Sequence, residues 1–285
     1  NLTEVVVRPT DTEKTLAEKV KLATILGTIQ SMYTHMPYLR PVWRKNTEEE
    51  RLLGVSLTGI MDNELTNKPS GKFLKKLRDT AIQTNNDFAQ HLGISASASI
   101  TCVKPSGTVS QLVDSASGIH ARHSAYYIRT VRGDNKDPLT QFMKDSGIPA
   151  EPCVMKPDST TVFSFPMASP DNAVTRNDMS AIEQLELWKT YALDWCEHKP
   201  SVTITVRDAE WLKVGAWVYD NFDICSGVSF LPHSDEATYK KALKQTPKSI
   251  DWAKLSDYEK EDNTAGMQTL ACSGDSCEVV DLTAA

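Results

Sequence analysis

The sequence predicts an α/β protein whose strands form a mainly parallel sheet or barrel. Two observations carry that expectation. Short runs rich in β-formers, several closed by Gly or Pro, alternate along the first 232 residues with segments of helical periodicity. In addition, the stretch Cys102-Val-Lys-Pro-Ser-Gly-Thr-Val-Ser-Gln111 has the composition of a turn that ends a buried strand and opens a helix.

Taken in order, Leu2 to Val7 is a β-branched run stopped by Arg8-Pro9. Asp11-Thr12 with Glu13 starts a helix to about Tyr33, with Leu16, Val20, Ala23, Ile25, Leu26 and Ile29 at helical spacing. A charged link, Arg44 to Arg51, leads to a second strand, Leu53 to Thr58, closed by Gly59-Ile-Met-Asp62. Gly71 to about Ala89 is the next helix, and Ile94 to Thr101 the third strand. Beyond the turn, Thr108 to Val113 can begin a helix, and Tyr126 to Val131 is a short fourth strand. Pro138 to Gly147 makes a small helix, and Thr161 to Phe165 a further strand before Pro166. From Asp178 to Glu197 a strongly amphipathic helix lines up Ile182, Leu185, Trp188, Ala192 and Trp195, a stripe that reads as core. Strand Val202–Val206, helix Asp208–Phe222 and strand Gly227–Leu231 complete the alternation. The sequence thus divides into a packed region, 1–232, a charged linker with a short helical segment, 233–265, and a tail, 266–285, without helical or strand period.

Composition excludes several classes. With 40% hydrophobic and 24% charged residues the chain is an ordinary globular protein, and 285 residues can bury a sizeable core. A net charge of −6 and the absence of a basic run argue against a general nucleic-acid binder. No apolar stretch approaches the roughly 18 residues that cross a membrane, and no signal peptide is evident, so a cytoplasmic enzyme is expected. The chain begins with Asn, which suggests processing, trimming or a fragment. Six cysteines are too few for a disulfide scaffold, and Cys102, Cys153, Cys196 and Cys225 read as small buried hydrophobes.

The turn after Cys102 is the candidate binding element. Pro105 forbids a continuous strand and Gly107 allows close backbone approach. Ser106, Gly107, Thr108, Val109 and Ser110 then place hydroxyls beside the free N–H groups of a helix start, where an anion, expected to be a phosphate, is favoured. On local chemistry alone, a Ser/Thr-capped turn without a ligand accounts for the same residues. The stretch is not a Walker loop, since no Gly-Lys-Ser/Thr follows, nor a Gly-rich dinucleotide turn.

Cys272 and Cys277 stand apart from the other cysteines. Five positions apart and joined by Ser-Gly-Asp-Ser, they favour a turn in which two thiols can meet and exchange with a disulfide elsewhere. A metal site with His233 is the weaker reading, because the spacing is unlike a Cys-x-x-Cys zinc arrangement.

Several segments in order resemble the ribonucleotide reductases. These are Lys104 to Ser110, Ser117-Gly-Ile-His120, Tyr126-Tyr-Ile-Arg129, Val55 to Asp62, Ser201 to Val206, Gly227 to Pro232 and the opening Asn1-Leu-Thr-Glu4. The variety most resembled is the monomeric, adenosylcobalamin-dependent ribonucleoside-triphosphate reductase. Elimination points the same way, since no glycyl-radical motif lies near the carboxyl end and Tyr126-Tyr127 falls too early for a radical relay. The resemblance implies the carboxyl-terminal half of a ten-stranded α/β barrel with a flexible carboxyl-terminal tail. It further implies substrate-phosphate contacts at Ser106, Gly107, Thr108, Val109 and Ser110, and a Cys272/Cys277 pair that reduces an active-site disulfide and is itself reduced by thioredoxin.

In that family, cleavage of the cobalamin carbon–cobalt bond makes a thiyl radical that takes the ribose 3′ hydrogen. The 2′ hydroxyl leaves as water while two cysteines form a disulfide. The Asn-Pro-Cys-Gly-Glu loop bearing the thiyl cysteine does not occur here, nor does the disulfide-forming pair. The chain is therefore expected to be the later half of an enzyme, inactive alone, with the missing amino-terminal half as its partner. Ala121 departs from the family, which commonly has proline after Gly-Ile-His. The competing reading is a phosphate-binding protein that keeps the fold and lacks the chemistry.

Overall fold

The computed structural model describes residues 1–233 and 249–258. These fall into two compact units, one built from Asn1–Ala125 and residues 170–233, the other from Tyr126–Ser169 with residues 249–258.

In the first unit the chain runs β1 (Leu2–Val6), α1 (Glu13–Gln30), α2 (Pro41–Glu50), β2 (Gly54–Thr58), α3 (Glu64–Asn67), α4 (Gly71–Leu92), β3 (Thr101–Cys102) and α5 (Val109–Leu112). The second unit contributes β4 (Tyr126–Asp134), α6 (Pro138–Asp145), β5 (Ala150–Pro152) and β6 (Thr160–Ala168). The first then resumes with α7 (Ala181–Asp194), β7 (Val202–Val206), α8 (Trp211–Asp220) and β8 (Val228–Pro232). Strands β1, β2 and β3 pair in parallel in that order, and β7 pairs in parallel with β8. The two sheets meet where Ser201 N–H donates to the Val103 carbonyl at 3.1 Å. The expected parallel α/β arrangement is thus present in this unit.

Helices cover one face of these strands. Val5, Val55, Leu57, Ile204 and Val206 are buried against Leu16 and Val20 of α1, Leu74 and Leu77 of α4, and Leu185 and Trp188 of α7 in one core. Side chains fix where the long helices begin: Thr12 accepts from Thr15 N–H, Ser70 from Phe73 N–H, and Ser180 with Glu183 closes a capping box. The stripe on α7 is core as expected, with Trp188 and Trp195 fully buried and their indole N–H groups donating to the carbonyls of Pro200 (3.2 Å) and Cys102 (2.8 Å).

Three expectations are corrected. Residues 44–51, taken as a link, lie largely in α2, which starts on Pro41 and buries no residue. Its only sequence signals are Pro at the start and the Arg44–Glu48 pair at 2.8 Å, so periodicity missed it. The strand expected over Ile94–Thr101 shrinks to Thr101–Cys102. Side chains hold part of the preceding backbone instead of a ladder: Asn85 accepts from Ser97 N–H at 2.8 Å and Glu197 from Ile100 N–H at 2.9 Å. Finally, β4 and β6 are not further parallel strands. They pair antiparallel along their full length, from Tyr126↔Ala168 to Asp134↔Thr160, with β5 beside β6. Phe142, Met143, Ile148 and Phe163 give this second unit a core of its own.

The loops at the carboxyl ends of β2 and β3 are joined by a buried ion pair. Arg122 grips Asp62 with two hydrogen bonds of 2.9 Å, and both side chains are almost wholly inaccessible. Asp62 also accepts from Ala116 N–H at 2.8 Å, and Arg122 N–H donates to the Val174 carbonyl at 2.9 Å. Arg122 also reaches Asp114, Nη1 to Oδ1 at 3.2 Å, so losing Arg122 strands the buried Asp62 carboxylate, while losing Asp62 leaves the guanidinium on an acid whose side chain is exposed. Breaking a buried pair in this way costs about 3–5 kcal/mol. Asp62→Asn and Arg122→Met are each expected to lower the melting temperature by roughly 10 °C, at the 2–4 °C per kcal/mol typical of a chain this size. Thermal melts followed by circular dichroism check this, and shifts below about 2 °C would contradict it.

Candidate functional site

Side chains alternate across β1, β2 and β3, so the face away from the helices carries Leu2 and Glu4, then Gly54, Ser56 and Thr58, then Cys102 and Lys104. In a sheet buried on both sides this face would be apolar; here Leu2, Val6 and Cys102 share it with Glu4, Ser56, Thr58 and Lys104. Lys104 Nζ lies 2.6 Å from Glu4 Oε2, and Lys104 N–H donates to Ser56 Oγ at 3.1 Å. Glu4 Oε1 is buried without a partner among the described residues. Burial pushes the Cys102 thiol up to about 11, so it packs as an inert neutral group.

An open groove of about 680 Å³ runs beside β1, and its lining includes Glu4, Arg8, Lys104 and Val109. The larger groove, about 1060 Å³, is lined by α1 and α4 and takes no residue from the strand ends. Ligands of open α/β sheets bind at the carboxyl ends of strands, which favours the smaller groove.

The turn that the sequence singled out leaves β3 at this end. It differs from expectation in two ways. The helix after it, α5, is a single turn of four residues, Val109–Leu112, and so has no developed dipole. Ser106 and Ser110 are buried and bond each other: Ser110 N–H donates to Ser106 Oγ at 3.1 Å, and Ser110 Oγ donates to the Ser106 carbonyl. Their hydroxyls brace the turn rather than face outward. Gly107, Thr108 and Val109 are exposed, and their three amide N–H groups donate to no acceptor among the described residues. A Cβ placed on Gly107 would meet nothing within 4 Å, so the fold does not require glycine there.

Residues 114–122 support the turn from behind. Gly59 N–H donates to the Ala116 carbonyl at 2.8 Å, Gly118 N–H to Thr58 Oγ1 at 2.9 Å, and Ser117 Oγ to the Ser106 carbonyl at 2.7 Å. Gly118 adopts φ +55°, and a side chain there would press its Cβ to 3.0 Å from the Lys104 carbonyl. His120 closes the set. Its Nε2 accepts from Thr203 N–H at 2.9 Å, so Nδ1 carries the proton and donates to the Ser117 carbonyl at 2.9 Å. Desolvation holds the imidazole below its ordinary pKa. The stability it contributes is therefore present above about pH 6.5 and is lost as pH falls below that value.

Sequence reading missed the partners Glu4, Asp62 and Arg122, because each pairing spans more than fifty positions and no local pattern marks it. Of the lone cysteines, Cys102, Cys153 and Cys196 are buried as expected, while Cys225 is partly exposed. Backbone N–H groups of Lys156 and Met155 hold the Cys153 thiol below its ordinary pKa. Cys272 and Cys277 lie outside the described residues. Among the described residues no group of His, Cys, Asp and Glu is arranged to hold a metal ion, and no helix is long and apolar enough to cross a membrane.

No protein-family model matches the sequence. Curated relatives do. The adenosylcobalamin-dependent ribonucleoside-triphosphate reductase of Euglena gracilis is 30% identical over 226 residues, which is 74% of this chain and 31% of that protein. The Lactobacillus gasseri protein of the same name is 29% identical over 261 residues, 81% of this chain and 34% of its own length. The chain thus spans about a third of the length of the curated relatives it matches. In fold it is similar to a crystal structure of a B12-dependent (class II) ribonucleotide reductase, with a TM-score of 0.70 and 24% identity over 93% of this chain and 40% of that one. By sequence and fold together, the chain belongs with the adenosylcobalamin-dependent ribonucleoside-triphosphate reductases, as a segment about a third of their length.

Proposed function

We propose that this chain is the carboxyl-terminal part of a cytoplasmic, thioredoxin-dependent ribonucleotide reductase that converts ribonucleoside triphosphates to deoxyribonucleotides, completing a ten-stranded barrel with the amino-terminal part. The observation that carries the reading is the exposed run of unpartnered amides at Gly107, Thr108 and Val109, at the carboxyl end of β3. Three N–H groups side by side on one turn suit phosphate oxygens, and an open glycine leaves room for them. Arg8 and Lys104 line the adjoining groove and add positive charge, although Lys104 is largely neutralised by Glu4. Ser106 and Ser110 act by holding the turn, while Thr108 alone of the three hydroxyl residues is exposed.

Adenosylcobalamin is the cofactor that the relatives' names imply, and it would supply the radical. The two grooves do not fit it, because charged side chains enter both: lysines along α4 in one, and Glu4, Arg8, Lys19 and Lys104 among the apolar residues of the other. Its site is accordingly assigned to the remaining part of the enzyme. This chain's own work is to hold the triphosphate, exclude water at the strand ends and, through Cys272 and Cys277, return electrons to the oxidised active site.

Three outcomes test the reading. Gly107→Val should leave the melting temperature of the full-length enzyme unchanged and weaken ribonucleoside-triphosphate binding at least about tenfold, since one blocked charge-assisted contact is worth about 1.5–3 kcal/mol. Unchanged affinity measured by calorimetry would sink the phosphate site. The purified 285-residue chain, supplied with cofactor and reductant, should form no deoxynucleotide, because it contains no Asn-Pro-Cys-Gly-Glu loop; chromatographic detection of product would overturn this. Cys272→Ser or Cys277→Ser in the full enzyme should abolish turnover with thioredoxin, yet leave it with a small dithiol that enters the barrel directly. Normal turnover of the double variant with thioredoxin would refute the shuttle.

A further inference from the structure

We infer that His120 is a positioning residue for the anion-binding turn, anchoring it to β7 through the hydrogen bond that Nε2 accepts from Thr203 N–H. This rests on reading Gly107–Val109 as a phosphate site, and it concerns how that turn is held.

A continuous line of hydrogen bonds links the two. Thr203 N–H donates to His120 Nε2 at 2.9 Å, and His120 Nδ1–H donates to the Ser117 carbonyl at 2.9 Å. Ser117 Oγ donates to the Ser106 carbonyl at 2.7 Å, and Ser106 Oγ accepts from Ser110 N–H at 3.1 Å. The three exposed amides lie between Ser106 and Ser110, so whatever fixes those two residues fixes the direction of the amides. Ser117 and His120 are already tied locally by His120 N–H donating to the Ser117 carbonyl at 2.9 Å. Ala116 and Gly118, on either side of Ser117, already refer the segment to the end of β2, and the contact to Thr203 adds a second outside reference, on a parallel strand with Val202, Ile204 and Val206 in the core. The groups bonded to the ring are neutral, and no charged side chain contributes to its shift. An imidazole with Nε2 free of its proton is the form this anchor needs.

Three variants of the 285-residue chain separate anchoring from packing. His120→Gln can place a carbonyl oxygen near the Nε2 position and still accept from Thr203. His120→Asn can keep a donor near Nδ1 but cannot reach Thr203, and His120→Leu keeps the bulk with neither bond. Hydrogen exchange at the Ser110 amide reads the turn without ligand, and calorimetry with inorganic tripolyphosphate reads anion binding. The Leu and Asn variants should exchange Ser110 about tenfold faster and bind tripolyphosphate about tenfold more weakly, the size of one lost hydrogen bond, while Gln stays within about twofold of the parent on both. Equal exchange in all three variants, whether all parent-like or all accelerated, overturns the inference. The expected exchange pattern in a chain that binds no tripolyphosphate would support the anchor and defeat the phosphate reading instead.

Discussion

The strand-end region depends on one buried ion pair. Asp62 leaves β2 and Arg122 follows the turn after β3, and neither charge has appreciable access to water. Their mutual bonds, with Ala116 N–H on the carboxylate and the Val174 carbonyl on the arginine backbone, pull three separate loops to one point. Such a pair adds little net stability over apolar residues of the same volume, because desolvating both charges offsets their attraction. What it supplies is a preferred arrangement, since moving Arg122 away leaves the buried Asp62 carboxylate without this counter-charge.

That arrangement fixes the chemistry of the turn at one remove. With residues 114–122 held against Thr58 and Gly59, Ser117 is placed to brace Ser106, and His120 to reach β7. The hydroxyls of Ser106 and Ser110 are then consumed in the bracing, and in the proposed phosphate site it is backbone amides that meet the anion. A site built of amides has fixed dipoles and no side-chain rotamers to order on binding, which lowers the entropic cost of holding a flexible polyanion.

The strand face away from the helices places Glu4 and Lys104 together beside β1. One carboxylate oxygen is matched to the ammonium and the other is buried without a partner, so the strand interior next to the turn is electrostatically unfinished among the described residues.

The sequence by itself determined the alternation of strands and helices, the core stripe on α7, and the turn at Lys104–Ser110, because each is written in spacing or in Gly, Pro and Ser within a few residues. Local pattern could not show that Tyr126–Asp134 and Thr160–Ala168 pair antiparallel in a separate unit, since β-formers look alike whichever partner they take. Nor could it show α2, which buries nothing and so carries no apolar period, or the loss of strand over residues 94–100, where Asn85 and Glu197 take part of the backbone bonding that a ladder would have taken. Only tertiary structure decided which hydroxyl of the turn is exposed and which are spent on bracing it. Its residues are braced through Asp62, Ser117 and Thr203, positions far apart along the chain that meet only when the parallel strands have packed.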